Sequence, residues 1–132
     1  MKVIGIEFAA SDMNYVVVDR NTDGTIVVTA ANRLSLADTR SPYDLSVFQQ
    51  AVKTLMSDLT PDRVAVKAKP EKGAMAAGAA ALKMEALVLA TLPCGVRFIS
   101  GARINKCNTP TGAVKAYHLS AYKAAACACN DD

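Results

Sequence analysis

Short apolar runs separated by polar turns open the chain and predict three β-strands. The runs cover residues 2–8, 15–19 and 25–30, and β-branched side chains predominate in the second and third. Between them, residues 11–14 and 21–24 are predicted to form turns, because they are rich in Ser, Asn, Asp and Gly. Because turns this short leave no room for a crossover helix, the three strands are expected to pair as an antiparallel meander.

The pattern then changes to the period of an α-helix. Ser41 and Pro42 favour a helix start, since serine caps the first turn and proline fits its first position. Apolar residues follow at spacings of three and four, which places them on one face of a helix that ends before Pro61. They are Leu45, Phe48, Val52, Leu55 and Leu59.

The second half of the chain alternates strands and helices. It predicts strands at 63–67 and 96–99, an alanine-rich helix at 74–92, a loop at 101–112 and a final helix at about 113–129. Right-handed crossovers place the fourth strand parallel to the first and beside it. We therefore predict an α/β fold in one domain, residues 1–132, with a five-stranded mixed sheet in the order 3-2-1-4-5 and helices on both faces.

Charge is distributed unevenly along the chain. The formal net charge is +3, but the first 60 residues carry five basic and seven acidic side chains, whereas the rest carry ten and five. Lys67, Lys69 and Lys72 follow the fourth strand, and Lys115 lies near the start of the final helix. Open α/β sheets bind ligands at this carboxyl edge, so we expect a site for phosphate or another anion. An ordinary solvated loop is the alternative interpretation.

Other classes of protein are disfavoured. The first apolar run is too short for the core of a signal peptide, and no stretch has the roughly 20 apolar residues that a membrane helix needs. The four cysteines include no Cys-x-x-Cys pair, and with one histidine no zinc site is expected. We expect a cytoplasmic protein with reduced thiols, no membrane association and no cofactor.

Three segments resemble the Holliday-junction resolvase branch of the ribonuclease-H-like superfamily. Residues 3–7, Val-Ile-Gly-Ile-Glu, resemble its opening strand, and residues 64–67, Val-Ala-Val-Lys, resemble its fourth strand. Residues 104–115 resemble the loop before its final helix. Within this superfamily the sequence most resembles a small bacterial family of uncharacterised proteins. The resemblance implies a ribonuclease-H-like fold.

The resemblance also implies metal-dependent phosphodiester cleavage, but the ligand set departs from that chemistry. Nucleases of this type hold two divalent metals with four carboxylates. Glu7 stands at the first carboxylate position, whereas the second carries Lys67, whose ammonium group cannot bind Mg²⁺. The start of the final helix supplies no carboxylate. We therefore expect a catalytically degenerate protein that is not a nuclease and that binds nucleic acid or a small anion. The candidate binding residues are Glu7, Lys67, Lys69, Lys72, Lys115 and His118.

Neighbouring strands end in Glu7 and Lys67, so we predict an ion pair between them. Two other classes of function stay open. Glu7, Asp12 and Glu71 could form a rearranged carboxylate set that holds Mg²⁺ in a working nuclease. The alanine-rich second helix or an edge strand could instead make a homodimer with a structural role. His118 is expected to face solvent or make a local polar contact, with a general base as the alternative.

Overall fold

Five strands form one mixed sheet in the computed structural model, which describes residues 1–74, 76–110 and 112–131. The strands are β1 (Lys2–Ala9), β2 (Asp12–Arg20), β3 (Ile26–Ser35), β4 (Arg63–Lys67) and β5 (Gly95–Ile99). The sheet order is β3-β2-β1-β4-β5, as the sequence predicts. β1, β2 and β3 pair antiparallel, whereas β4 pairs parallel with β1 and β5 pairs parallel with β4.

The antiparallel half of the sheet is longer than predicted. β2 begins at Asp12 rather than at residue 15, because the reversal after β1 is confined to two residues and Ala10 adopts a left-handed conformation with φ 52°. The turn predicted at residues 11–14 is therefore wrong beyond Ser11, because Asp12, Met13 and Asn14 belong to β2, and the last two are buried. β3 also continues to Ser35 instead of ending at residue 30.

The first helix forms as its capping signals predict. α1 (Pro42–Leu59) begins after Ser41, whose Oγ accepts a hydrogen bond from the Asp44 amide at 3.1 Å. The buried side chains of the helix are Phe48, Val52 and Met56, which pack on one face of the sheet. Burial of this apolar stripe holds α1 against the sheet.

The second helix begins later than predicted. α2 (Ala79–Thr91) starts at Ala79 rather than at residue 74, because Gly73 is left-handed with φ +91° and Gly78 occupies the position before the helix. Met75, in the predicted first turn, lies outside the described residues.

The segment before the last helix also differs from the prediction. The predicted loop contains a short helix, α3 (Gly101–Lys106), capped by Ser100. The last helix, α4 (Leu119–Cys129), begins after a 3-10 turn at Ala116–His118 rather than at residue 113. Thr111 and Asp132 lie outside the described residues.

The two faces of the sheet carry different cores. α1 and α2 cover one face with large side chains, whereas α4 covers the other mainly with alanines. α4 lies so close to β1 that a Cβ atom added to Gly5 would stand 1.9 Å from the Ala121 carbonyl oxygen. In the part of the chain that is described, no helix combines the length and apolar character needed to cross a membrane.

Candidate functional site

The carboxyl ends of β1 and β4 meet the start of α4, and this junction forms the candidate site. Side chains alternate along β1, so Gly5 faces Ala121 of α4 and Glu7 is the next residue on that face. Near the other end of α4, Arg63 at the start of β4 donates to the Ala128 carbonyl at 2.7 Å. α4 therefore runs antiparallel to β1 and β4, and its N-terminus lies at their carboxyl edge.

An ion pair joins the two strands at this edge. Ile6 lies opposite Val66 in the parallel register, so the next residues, Glu7 and Lys67, are adjacent. Lys67 Nζ donates to Glu7 Oε2 at 3.1 Å, with side chains 27% and 16% exposed. The ion pair predicted from the sequence is therefore present. Its ammonium group supplies the positive charge that a partly buried carboxylate needs.

Asn14 on β2 lies on the same face of the sheet, directly beside Glu7 of the ion pair. It is paired with Glu7 in the antiparallel register and is 5% exposed. Among the described residues, none donates a hydrogen bond to its Oδ1. A buried unsatisfied acceptor costs roughly 1–3 kcal/mol, which makes Asn14 a candidate contact for a ligand with a donor group.

Asn14 is absent from the predicted site because the residues around it predict a turn at 11–14. The signal that could have found it is the alternation along β2. Asn14 falls in the same alternate positions as Val16 and Val18, both of which belong to the apolar layer beneath α4. A polar residue in a buried series is more informative than the same residue in a turn.

The two lysines after β4 differ in their surroundings. Lys69 is half-buried, and its Nζ donates to the Phe8 carbonyl oxygen at the end of β1. Lys72 is exposed in the loop before α2. Lys69 therefore holds two strand ends together, whereas Lys72 presents its charge to solvent.

His118 does not face solvent, which is one of its two predicted environments, but makes a polar contact with a distant part of the chain. Only 4% of the residue is exposed, and its Nε2 lies 2.9 Å from the Asn32 carbonyl oxygen on β3. Because a carbonyl oxygen only accepts, Nε2 carries the proton. The contact ties the turn before α4 to the edge strand.

An aromatic side chain and a cation stand beside this histidine at the surface. The Tyr117 ring packs against the His118 ring with centroids 4.4 Å apart, and 48% of Tyr117 is exposed. Lys115 Nζ lies 6.0 Å from the centre of the tyrosine ring. An exposed ring next to a lysine is an arrangement that can stack a base and contact a phosphate.

The three carboxylates of the rearranged set are not brought together. Asp12 accepts from Ser35 Oγ at 2.6 Å and lies 3.7 Å from Arg33 NH1, so β3 engages it. Glu71 is exposed in the loop after β4. Burial raises the pKa of Glu85, and the charge of Glu71 raises it further by a smaller amount. The described residues contain no group of three or more His, Cys, Asp or Glu side chains that could hold a metal ion.

Comparison with known proteins gives a family match and several structural relatives. The model of the family described as "Protein of unknown function (DUF3010)" matches residues 1–129. A search of the curated proteins finds no match.

Solved structures of Holliday junction resolvases are similar to this chain. RuvC from Thermus thermophilus aligns over 96% of this chain and 92% of its own, with a TM-score of 0.73 and 11% identity. T. thermophilus RuvC in complex with Holliday junction substrate aligns over 96% and 91%, with a TM-score of 0.68 and 14% identity. The yeast mitochondrial Holliday junction resolvase Ydc2 aligns over 79% and 52%, with a TM-score of 0.59 and 13% identity. These similarities confirm the predicted ribonuclease-H-like fold.

Proposed function

The chain belongs to the family described as "Protein of unknown function (DUF3010)", and on that premise we propose that it binds nucleic acid at the carboxyl edge of its sheet without cleaving it. The fold is shared with a resolvase whose structure contains a Holliday junction substrate. Branched DNA is therefore the first ligand to test. A small anion at the same lysines is the alternative outcome.

The observation that carries the proposal is the ion pair between Glu7 and Lys67. Its Nζ–Oε2 distance of 3.1 Å places an ammonium group at the strand ends. Two-metal phosphodiester cleavage needs several carboxylates at one place, to hold ions that stabilise the attacking and leaving oxygens. Here β4 contributes the positive charge of Lys67 instead of a carboxylate, and Asp12 accepts a hydrogen bond from Ser35. This chemistry favours holding a phosphate over activating water to attack one.

The surface around the ion pair carries further groups suited to nucleic acid. Lys72 and Lys115 are exposed, and the Arg33 side chain on β3 is 59% exposed. Half-exposed Tyr117 adds an aromatic face. Lysine and arginine contribute affinity by neutralising phosphates, and an aromatic ring stacks on an unpaired base.

Binding is tested with a fluorescent four-way junction, a duplex of the same length and a single strand. We expect affinity to fall steeply with salt, because each neutralised phosphate releases counterions. Lys115→Glu and Lys72→Glu are each expected to weaken binding and to lower the salt slope by about 1. Lys53→Glu makes the same charge change on α1, at the opposite edge of the sheet beside Pro61, and is expected to leave binding unchanged.

Two outcomes would overturn the binding proposal. One is no binding of any of the three DNAs at low salt. The other is equal weakening by Lys53→Glu and Lys115→Glu, which would indicate a nonspecific effect of net charge. Competition by inorganic phosphate without DNA binding would support the small-anion alternative instead.

A cleavage assay tests the second half of the proposal. The wild-type protein is incubated with the same DNAs and Mg²⁺ or Mn²⁺, and we expect intact strands. Cleavage that is lost in Glu7→Gln but kept in a purified Asp44→Asn control would contradict the proposal and support the rearranged carboxylate site. Asp44 suits the control because it lies in the first turn of α1, away from the candidate site.

A further inference from the structure

Two cysteines meet where α3 ends against the last turns of α4. Cys107 follows α3 and is half-buried, whereas Cys127 lies on α4 and is 8% exposed. The Cys127 thiol donates to the Arg103 carbonyl oxygen at 4.0 Å, and Cys107 lies close enough to raise the pKa of this thiol. Both line one cavity of about 350 Å³, together with Arg103, Lys106 and two asparagines.

We propose that Cys107 and Cys127 are a redox-modification site, at which a hydroperoxide converts the two thiols to an intramolecular disulfide. The other two cysteines are placed differently. Cys94 packs in the core beneath α1 and α2, on the opposite face of the sheet. Cys129 is the last residue of α4 and is fully buried.

The surroundings assign different roles to the two sulfurs. Burial, together with Cys107, raises the pKa of the Cys127 thiol to about 11, so this sulfur stays protonated and is a poor first nucleophile. Cys107 is the more accessible of the two and faces the cavity. Peroxide is therefore expected to react first at Cys107, with Cys127 as the resolving thiol.

The reaction balances in two steps. The Cys107 sulfur attacks one peroxide oxygen and the O–O bond breaks, which gives a sulfenic acid and one water from hydrogen peroxide. The Cys127 sulfur then attacks the Cys107 sulfur, the S–O bond breaks, and the departing hydroxide takes the Cys127 proton as a second water. Two thiols are oxidised by two electrons, and one hydrogen peroxide is reduced to two waters.

Closure of this bond would constrain the segment that leads to the candidate site. The segment between the two cysteines includes Lys115 and His118. Cys107 stands in irregular chain directly after α3, so it can adjust to the narrow range of Cβ–Cβ distances that a disulfide accepts. Oxidation is thus expected to tie the loop before α4 to the end of the helix.

Peptide mapping of the full-length protein tests the proposal. The reduced chain is treated with hydrogen peroxide, thiols are blocked, and the protein is digested with trypsin without reductant. We expect peptide 107–115 linked to peptide 124–132, two hydrogens lighter than the sum, and released by dithiothreitol. Because the second peptide also contains Cys129, variants are needed to assign the bond.

The variants separate the sulfurs. The link is expected to disappear in Cys107→Ser and in Cys127→Ala, and to persist in Cys129→Ser and Cys94→Ser. Cys127→Ala keeps an apolar side chain in the buried position, and Cys107→Ser changes only a half-buried side chain. The test needs only one of these two variants to fold. A link that persists without Cys127, or Cys107 oxidised to sulfinic or sulfonic acid with no link, would overturn the proposal.

Discussion

Lys67 determines the charge of the candidate site at the scale of a single residue. Its ammonium group neutralises Glu7 at 3.1 Å in a setting where both side chains are mostly buried. Removing one partner of such a pair leaves the other charge with less solvation than it has in the unfolded chain. The identity of this one side chain therefore affects both stability and the affinity of the edge for cations.

Replacing Lys67 with glutamate should make the site dependent on divalent cations. Lys67→Glu places a second carboxylate beside Glu7, and we expect it to lower the free energy of unfolding by about 1–3 kcal/mol at neutral pH. Added Mg²⁺ should restore part of the loss, because two carboxylates can share a divalent ion. Urea unfolding with and without Mg²⁺ measures both effects.

The control is Lys67→Gln, which removes the cation without adding a negative charge. It should be destabilised less than Lys67→Glu and should not respond to Mg²⁺. Equal stability of the two variants, with no effect of the metal on either, would contradict the electrostatic account.

Asn14 offers a second prediction at this scale. Its buried Oδ1 lacks a donor among the described residues, so Asn14→Leu, which is close in size, should raise the free energy of unfolding by about 1 kcal/mol. Asn14→Ala, which also leaves a cavity, should not show the gain. Thermal and urea unfolding test the pair. Destabilisation by leucine equal to that by alanine would indicate that the amide is satisfied in solution.

Close packing between α4 and β1 is the main feature at the scale of elements. Gly5 and the alanines of α4 let the helix backbone lie directly on the strand. The opposite layer, under α1 and α2, uses larger side chains such as Phe48 and Met84. The α4 layer therefore tolerates added volume least.

One methyl group on β1 tests this packing. In Gly5→Ala the new Cβ would stand 1.9 Å from a backbone oxygen, so α4 must shift as a whole. We expect a loss of roughly 3 kcal/mol in the free energy of unfolding. Gly95→Ala on β5 is the matched control, because no described atom beyond its two chain neighbours lies within 4 Å of the added Cβ. Similar stability of the two variants in urea would refute the close contact.

An ion pair attaches α3 to the segment after α4. Arg103 contacts both carboxylate oxygens of Asp131, at 2.7 and 3.1 Å. The hydrogen bond from Arg103 holds the pKa of Asp131 below its usual 3.8. The folded protein thus binds this proton less readily than the unfolded chain. The pair therefore stabilises the fold above pH 3.8, and the contribution is lost as the pH falls below that value.

The pH dependence is tested by comparing Asp131→Asn with the wild type. The difference between their urea midpoints should be largest near neutral pH and should shrink on acidification below pH 3.8. Arg103→Gln should give the same profile, and the double variant should add nothing further. A difference that is independent of pH would contradict the ion-pair account.

At the scale of the whole molecule, β3 and β5 are the sheet edges, and β3 is the longer at ten residues. Hydrogen exchange should therefore be slowest in β1 and β4 and faster at the outward amides of β3. The measurement is made at two protein concentrations. Protection of β3 that increases with concentration would support the edge-strand homodimer left open by the sequence.

The architecture could be predicted from the sequence because local patterns agreed with one another. Alternating runs, the Ser41–Pro42 cap and the α1 stripe each specify an element, and the rules of strand connection fix their order. The starts of α2 and α4 were predicted too early, near Gly73 and Lys115. The small residues in these segments are compatible with a helix and with irregular chain, so the sequence does not distinguish the two.

The candidate site was only partly predictable for a different reason. Glu7 and Lys67 end neighbouring strands, so their contact follows from topology. Asn14 and Arg33 reach the site through exact strand register, and the sequence alone misplaced the start of β2. The separation of Asp12 from Glu71 depends on side-chain partners, which periodicity does not encode.

The seating of α4 on Gly5 has a consequence for synthesis on the ribosome. β1 is the central strand and is made before the other four, but α4, the helix that covers one of its faces, leaves the exit tunnel only after all five strands. Val3 and Gly5 therefore stay exposed while the chain between β1 and α4 is synthesised. The core beneath α4 forms only after these more than a hundred intervening residues have emerged. Folding is thus completed late, and a nascent chain stalled before α4 exposes the strand that a chaperone would bind.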